Sequence, residues 1–230
     1  MAKVKDFYGY LNSIAPFETQ EDWDNSGMLV GDMDAEVKKA KAIGADLIIS
    51  HHPVIFNPIK SVTRGSVPYE LVASSINALC CHTPLDIADG GTNDSLAKLL
   101  GIEVTRTEDP ILRLGTVEPT TAENLAGKIA KTLNTKVRYA DAGRKIEKIA
   151  ICTGAGCSLI EAAGEIDAFI TGDASHHNFL DCIQAGITLI AAGHYETEIV
   201  VVPVLVKKLQ AQFPDIEIID IKQENPIKFI

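Results

Sequence analysis

The feature that most constrains this chain is a repeated alternation of short apolar runs with segments of helical periodicity, the pattern of strands and helices laid down in turn. Val4, Phe7, Tyr8, Leu11 and Ile14 recur at helical spacing and Pro16 follows, so the chain opens with an amphipathic helix. A first series then reads as strand Leu47 to Ser50, a helix near Pro68 to Asn77, strand Leu79 to Cys81 and a helix near Asn93 to Leu100. A second series starts near Gly115, where Thr120 followed by Glu123 fits a capping box opening a helix through Leu133. Strand "KIAICTG", helix "SLIEAAGE", strand "DAFITG", helix "HNFLDCIQAG", strand "ITLIAAG" and helix "TEIVVVPVLVKKLQAQ" follow, and "IEIIDI" reads as a closing strand. Such alternation predicts an α/β fold with mainly parallel sheets flanked by helices.

Composition narrows the function classes. With 230 residues, 46% of them apolar, the chain can build a sizeable core, as one large or two modest domains. A formal charge of −10 makes a phosphate-backbone binder a poor reading, because nucleic-acid proteins cluster Lys and Arg. Apolar runs such as "IVVVPVLV" fall far short of the roughly 18–20 residues that span a bilayer, and the polar start "MAKVKDFYGY" is no signal peptide, so a cytoplasmic protein is expected. Five cysteines, Cys80, Cys81, Cys152, Cys157 and Cys182, are odd in number, lack C-x-x-C spacing and read as reduced core thiols.

The two series share a pattern. "ADLIISHH" in the first matches "IDAFITGDASHH" in the second, each an acid, an apolar strand and a histidine pair. Downstream, "ALCCH" leads to His82 with Asp86 four residues on, and "TLIAAGH" leads to His194 with Glu198 four residues on. The pattern reads as an internal pseudo-repeat of two α/β units.

All six histidines fall at the carboxyl ends of strands, where the loops of open α/β sheets converge on ligands. Imidazole and carboxylate donors without paired thiolates suit Zn, Fe, Mn, Co or Ni, and leave the metal's identity open. Residues four apart share a helix face, so His194 and Glu198 can point at one ion. His51 and His52 end a strand with Pro53 stiffening the exit, and two neighbours there can serve two ions. Asp86 is the natural bridge of such a pair. The expected ligands of two divalent ions per chain are therefore His51, His52, Asp86, His194 and Glu198. Any one of these histidines taken singly reads equally as a hydrogen-bonded strand cap, and no carboxylate follows His176 or His177 at helical spacing.

Other motifs carry less. "TGAGCS" (153–158) is a glycine turn whose N–H groups can cradle an anion, but a plain tight turn fits better. In "GGTNDSLAKLLG" (90–101), Thr92, Asn93 or Asp94 is expected to cap a helix, and "WDNSGMLVGD" (23–32) is either a loop near the site or a packed turn. No G-x-x-x-x-G-K-[ST] is present, so a nucleotide would not be held in P-loop fashion.

Together "WDNSGMLVGD", "GADLIISHHPVIF", "HTPLDIADGGTNDSLAKLLGI", "IDAFITGDASHH" and "GHYETE", in that order, resemble the YbgI-like family of dinuclear metal-centre proteins, homologues of type 2 GTP cyclohydrolase I. The resemblance runs almost end to end, and its metal ligands fall on the same five residues, with His82 beside them. It implies two α/β units, residues 1–108 with 196–230 and residues 109–195, with the metal site in the cleft between them. It also implies a toroidal homohexamer with the metal sites facing an inner cavity. Relatives usually carry an additional strand and helix ahead of the His-His strand, where only about 20 residues separate Asp32 from His52 here. The inserted middle domain of longer relatives is absent from this chain.

The function implied is a dinuclear metal-dependent hydrolase acting on a small molecule, with a nucleotide as the candidate: ring-opening of GTP by metal-bound hydroxide. His82 would shuttle protons, His176 and His177 would touch substrate, and Lys60 and Arg64 would meet a triphosphate. The alternative is a non-enzymatic metal-binding hexameric scaffold or metal-responsive interaction protein.

Overall fold

The computed structural model describes residues 2–37 and 44–228, so part of the shortened stretch 32–46 lies outside the described residues. The chain divides into two units, residues 1–89 with 205–219 and residues 90–204 with 220–230.

The first unit opens on α1 (Val4–Ile14), which buries Val4, Phe7 and Leu11 along one stripe. Its start is fixed by Asp6, whose carboxylate accepts the Lys3 N–H at 2.7 Å. The Phe7 ring stacks on Phe213 with centroids 3.9 Å apart, which holds α1 against the returning segment of the chain. A three-stranded sheet follows in the order β1-β3-β2, built from β1 (Gly27–Val30), β2 (Leu47–Ser50) and β3 (Asn77–Cys80). β2 runs parallel to β3 through the crossover helix α2 (Val67–Ala73), and β1 is antiparallel. Central β3 is buried at all four positions. The helix expected to reach Asn77 stops at Ala73, because Asn77 is already the first residue of β3. Its side-chain amide accepts from Asp32 N at 2.8 Å and donates to Asp46 O at 2.9 Å. After β3 the chain enters the short helix α3 (Thr83–Ile87).

The second unit contains α4 (Thr92–Leu100), β4 (Val104–Arg106), β5 (Arg113–Thr120), α5 (Ala122–Leu133), β6 (Arg138–Ala140), β7 (Ile146–Cys152), β8 (Ala168–Thr171), α6 (His176–Gln184), β9 (Thr188–Ala191), α7 (His194–Glu198) and the start of α8 (Val202–Gln212). Its sheet has the order β4-β5-β7-β8-β9-β6. β7, β8 and β9 are parallel, while β4, β5 and β6 pair antiparallel at the flanks. The sheets are thus mixed, with the expected parallel pairings at β2·β3 and β7·β8·β9. Both faces of the larger sheet are covered, and the two-residue period sorts its side chains. Ile149, Ile151, Ile170 and Ile190 pack with Leu96, Leu100 and Ile129 on one face; Ala150, Cys152, Phe169 and Leu189 pack with Leu112 and Cys182 on the other.

Several expected elements differ in detail. α5 is capped by Thr121, whose hydroxyl accepts from Asn124 N at 3.3 Å, and not by Thr120, which ends β5. α4 starts after Gly91 with no side-chain cap; Asp94 reaches back instead to the Gly90 N–H at 2.7 Å. "SLIEAAGE" forms two 3₁₀ turns, Gly156–Leu159 and Glu161–Ala163, in place of one regular helix. The long helix expected from Thr197 to Gln212 is interrupted by a 3₁₀ turn at Ile199–Val201, and α8 restarts with Pro203 in its first turn, where a missing N–H costs nothing. "IEIIDI" joins no ladder among the described residues, and Ile219 and Ile221 are exposed. No helix among the described residues is long and apolar enough to cross a membrane. Cys80, Cys81, Cys152 and Cys182 are buried, Cys157 is partly exposed, and all are free thiols.

Candidate metal centre

In the first unit the histidines gather where β2 and β3 end. The His51 Nδ1 lies 2.9 Å from the carbonyl oxygen of Cys81. A carbonyl can only accept, so Nδ1 carries the proton and Nε2 presents its lone pair. That Nε2 stands 3.6 Å from Asp86 Oδ1, with both side chains largely buried. The distance is too long for a hydrogen bond. Two electron-pair donors facing each other across it suit an intervening cation, since two bonds of about 2.0–2.2 Å span up to roughly 4 Å. The His52 ring lies 5.0 Å from that of His51 and 5.2 Å from that of His82. One nitrogen from each of His51, His52 and His82 falls within 4.8 Å of the other two, a donor group able to hold a metal ion.

His82 is oriented from behind by Asp24. Nδ1 sits 2.8 Å from Asp24 Oδ1, and the Asp24 side chain is fully buried. Oδ2 also accepts from Thr83 Oγ1 at 2.6 Å, Thr83 N at 3.1 Å and Ser26 Oγ at 2.9 Å, while Oδ1 accepts from Asn25 N at 2.6 Å. Burial pushes the Asp24 carboxyl up, but the hydrogen bonds from His82, Thr83 and Asn25 outweigh it and hold the group well below the ordinary carboxylate range. Asp24 is therefore an anion that accepts from His82 Nδ1 and fixes its ring and tautomer.

The second unit carries a matching arrangement. β9 ends at Ala191, Gly193 turns the backbone at φ 95°, and α7 begins with His194. One helical turn later Glu198 Oε1 lies 3.0 Å from His194 Nε2. On the other side of the ring, Nδ1 is 2.7 Å from Asp173 Oδ2, just beyond the end of β8. Glu198 is buried and the imidazole is flanked by two carboxylates. Its pKa is raised to about 9, chiefly by the Glu198 hydrogen bond, against burial, with Asp173 adding to the rise. The proton on Nε2 occupies the place that a cation would take.

Gly154 makes room for this pair. A Cβ there would collide with Glu198 Oε1 and stand 3.3 Å from His194 Nε2, at a φ of 62° that disfavours any side chain. "TGAGCS" forms a tight turn in which three N–H groups are used internally, Thr153 N by Asn93 Oδ1, Gly154 N by Thr197 Oγ1 and Gly156 N by Thr171 Oγ1.

Of the residues singled out from sequence, His51, His52, His82 and Asp86 lie together in the first unit, and His194 with Glu198 in the second. His176 and His177 form the first turn of α6, both exposed, with rings 6.1 Å apart; among the described residues neither joins a group of metal donors. Lys60 and Arg64 are exposed on the segment between β2 and α2. Sequence reasoning did not single out Asp24, Asp173, the Cys81 carbonyl or Gly154. Asp24 sits inside the Trp motif and Asp173 inside "TGDASHH", each a carboxylate within a motif already noted.

Residues 2–226 match the family model Duf34/NIF3 (NGG1p interacting factor 3). The chain is 31% identical, over 99% of both sequences, to a Campylobacter jejuni protein named GTP cyclohydrolase 1 type 2 homolog. Among solved structures it resembles Staphylococcus aureus protein SA1388, with a TM-score of 0.87 at 27% identity over 100% of this chain and 99% of that one. Protein ybgI, described as of unknown function, superposes with a TM-score of 0.85 at 29% identity over 96% of this chain and 99% of that one. The extent of these matches and the histidine and carboxylate clusters at the strand ends place the chain in the Duf34/NIF3 family.

Proposed function

We propose that the chain is a dinuclear metal-dependent hydrolase of the GTP cyclohydrolase type. In this reading His51, His52, Asp86, His194 and Glu198 would hold two divalent ions. The observation that carries it is the His51 Nε2 facing the Asp86 carboxylate at 3.6 Å while Nδ1 is held by a carbonyl. The same device recurs at His194, whose Nδ1 is held by Asp173 with Glu198 at Nε2. Histidine ligands whose second nitrogen is fixed by an oxygen acceptor are characteristic of metal sites.

Bound divalent ions supply an acidified water and a Lewis acid for the atom attacked. The remaining work falls to side chains. His82, its ring held through Nδ1 by Asp24, takes a proton from the attacking water and returns it to the departing nitrogen of the substrate. The loop between β2 and α2, long for a connection without regular structure, presents Lys60 and Arg64 to the phosphates. Such local cations are needed because the chain carries a net charge of −10. The name of the C. jejuni relative supports GTP as the first substrate to try.

The test combines elemental analysis with product analysis of GTP turnover, for wild type, His51→Ala, Glu198→Ala and His82→Ala. The expected result is close to two ions per wild-type chain, loss of metal in the first two variants, and retained metal with lost turnover in the third. Turnover that survives both ligand substitutions would sink the hydrolase reading. Retained metal with no turnover of GTP, phosphoesters or amides would favour the metal-binding scaffold. Assembly as a homohexamer is proposed on the family likeness alone, and light scattering decides it.

A further inference from the structure

We propose that Trp23 and Phe56 form a stacking platform for a planar heteroaromatic ring of the substrate beside His82. The inference rests on the reading of the neighbouring histidines as a reaction centre and adds what they act on.

Trp23 and Phe56 come from different loops, yet their ring centroids lie 5.9 Å apart at a tilt of 43°. Trp23 is 56% exposed and Phe56 is 46% exposed. Both rings also border the imidazole of His82, at 5.8 Å and 6.3 Å, in edge-on orientations. Two large aromatic rings are therefore left in water at the edge of the histidine group, where their burial would be favourable.

The platform is held in place. Asp24, next to Trp23, accepts the hydrogen bonds from His82, Thr83, Ser26 and Asn25 described above, which fix the backbone that presents the indole. Asn25 Nδ2 donates to the Ile55 carbonyl at 2.6 Å, tying that loop to the residue before Phe56. His82 N donates to Ser26 Oγ at 3.1 Å, so the imidazole shares the same frame. A rigid site loses little freedom when a ligand is bound. Rings tilted by 43° cannot both lie flat on one planar guest; one takes its face and the other its edge, a favourable pair of aromatic geometries. A base stacked there sits against His82, the group assigned to proton transfer.

Trp23 is the only tryptophan in the chain, so fluorescence excited selectively at tryptophan reports on this site. The wild-type protein is titrated with GTP, guanosine, ribose 5-phosphate and inorganic tripolyphosphate, and metal content is measured on the same sample. Saturable quenching by GTP and guanosine, and none by the other two, is expected. Calorimetry of Trp23→Leu should show GTP binding weakened about tenfold or more, with partial recovery in Trp23→Phe. Quenching equal for tripolyphosphate, or absent for guanosine with metal present, overturns the platform while leaving the metal centre standing. Guanosine quenching in a chain that holds no metal supports the platform and sinks the hydrolase. Trp23→Leu chains that fall apart into smaller assemblies with unchanged GTP affinity would assign the two rings to a contact with a second copy, against the proposal.

Discussion

Asp173 Oδ2 and His194 Nδ1 lie 2.7 Å apart, and the other nitrogen of that ring faces Glu198 at 3.0 Å. The imidazole is thus clamped between a carboxylate that orients it and one that would share its ligand. Removing the orienting group should loosen the ring without removing a donor. Asp173→Ala is expected to lower metal affinity about 10- to 100-fold. Glu198→Gln removes a charged donor from the pair and should lower it further. Calorimetric titration of apo protein with Zn²⁺ checks the order, and circular dichroism should show both variants folded.

Gly154 offers a sharper test, because it contributes no donor. Its φ is 62°, and a Cβ would collide with Glu198 Oε1. Gly154→Ala should cost about 1–2 kcal/mol from backbone conformation, and it should displace the Glu198 carboxylate. The expected outcome is a modest fall in thermal midpoint with a disproportionate loss of bound metal by elemental analysis. A variant that keeps full metal would show that Glu198 is not held at the position described.

The histidine candidates were legible because each stands just after an apolar run, and Asp86 and Glu198 because each follows a histidine at helical spacing. β2, β8 and β9 are short apolar runs that give way within a few residues to histidines or acids, so both could be read. The orienting carboxylates could not. Asp24 meets His82 across 58 residues and Asp173 meets His194 across 21, and contacts made by folding leave no periodicity in either partner's surroundings. Helix ends failed for a related reason. Asp94, one of three residues expected to cap α4, is drawn instead to Arg113 and the Gly90 N–H, and Asn93 to the Thr153 N–H. "IEIIDI" alternates as a strand should, but a strand also needs a partner edge, which its own residues do not encode.

Arg113 is 1% exposed at the start of β5. Its Nε donates to Asp94, and its Nη1 to the carbonyls of Pro110, Ile111 and Leu112. Asp94, its side chain 25% exposed, keeps some hydration, so losing its partner costs less than the about 3–5 kcal/mol of a fully buried pair. Arg113→Ala should therefore lower the thermal midpoint of the second unit by several degrees or more. Arg113→Met, which fills the volume, should recover only part of it, since the three carbonyls also lose their donor. Differential scanning calorimetry of the three proteins decides this.

The thiols give a pH dependence with a definite sign. Burial pushes Cys81 up to about 12 and Cys157 up to about 11, and also raises Cys80 and Cys182 from the ordinary value of 9.0. A group whose folded pKa exceeds its unfolded one contributes stability that is complete below the unfolded value and is lost as pH rises through the folded value. Above pH 9 the unfolded chain ionises its thiols while the folded chain keeps them neutral, so stability should fall between about pH 9 and pH 12. At pH 8 native Cys157, the one partly exposed thiol, should react with iodoacetamide far more slowly than the urea-unfolded chain. Mass spectrometry of timed alkylation reads the difference directly. Fast native labelling at Cys80 or Cys81 would show that the ends of β3, and with them the carbonyl that orients His51, open readily in solution.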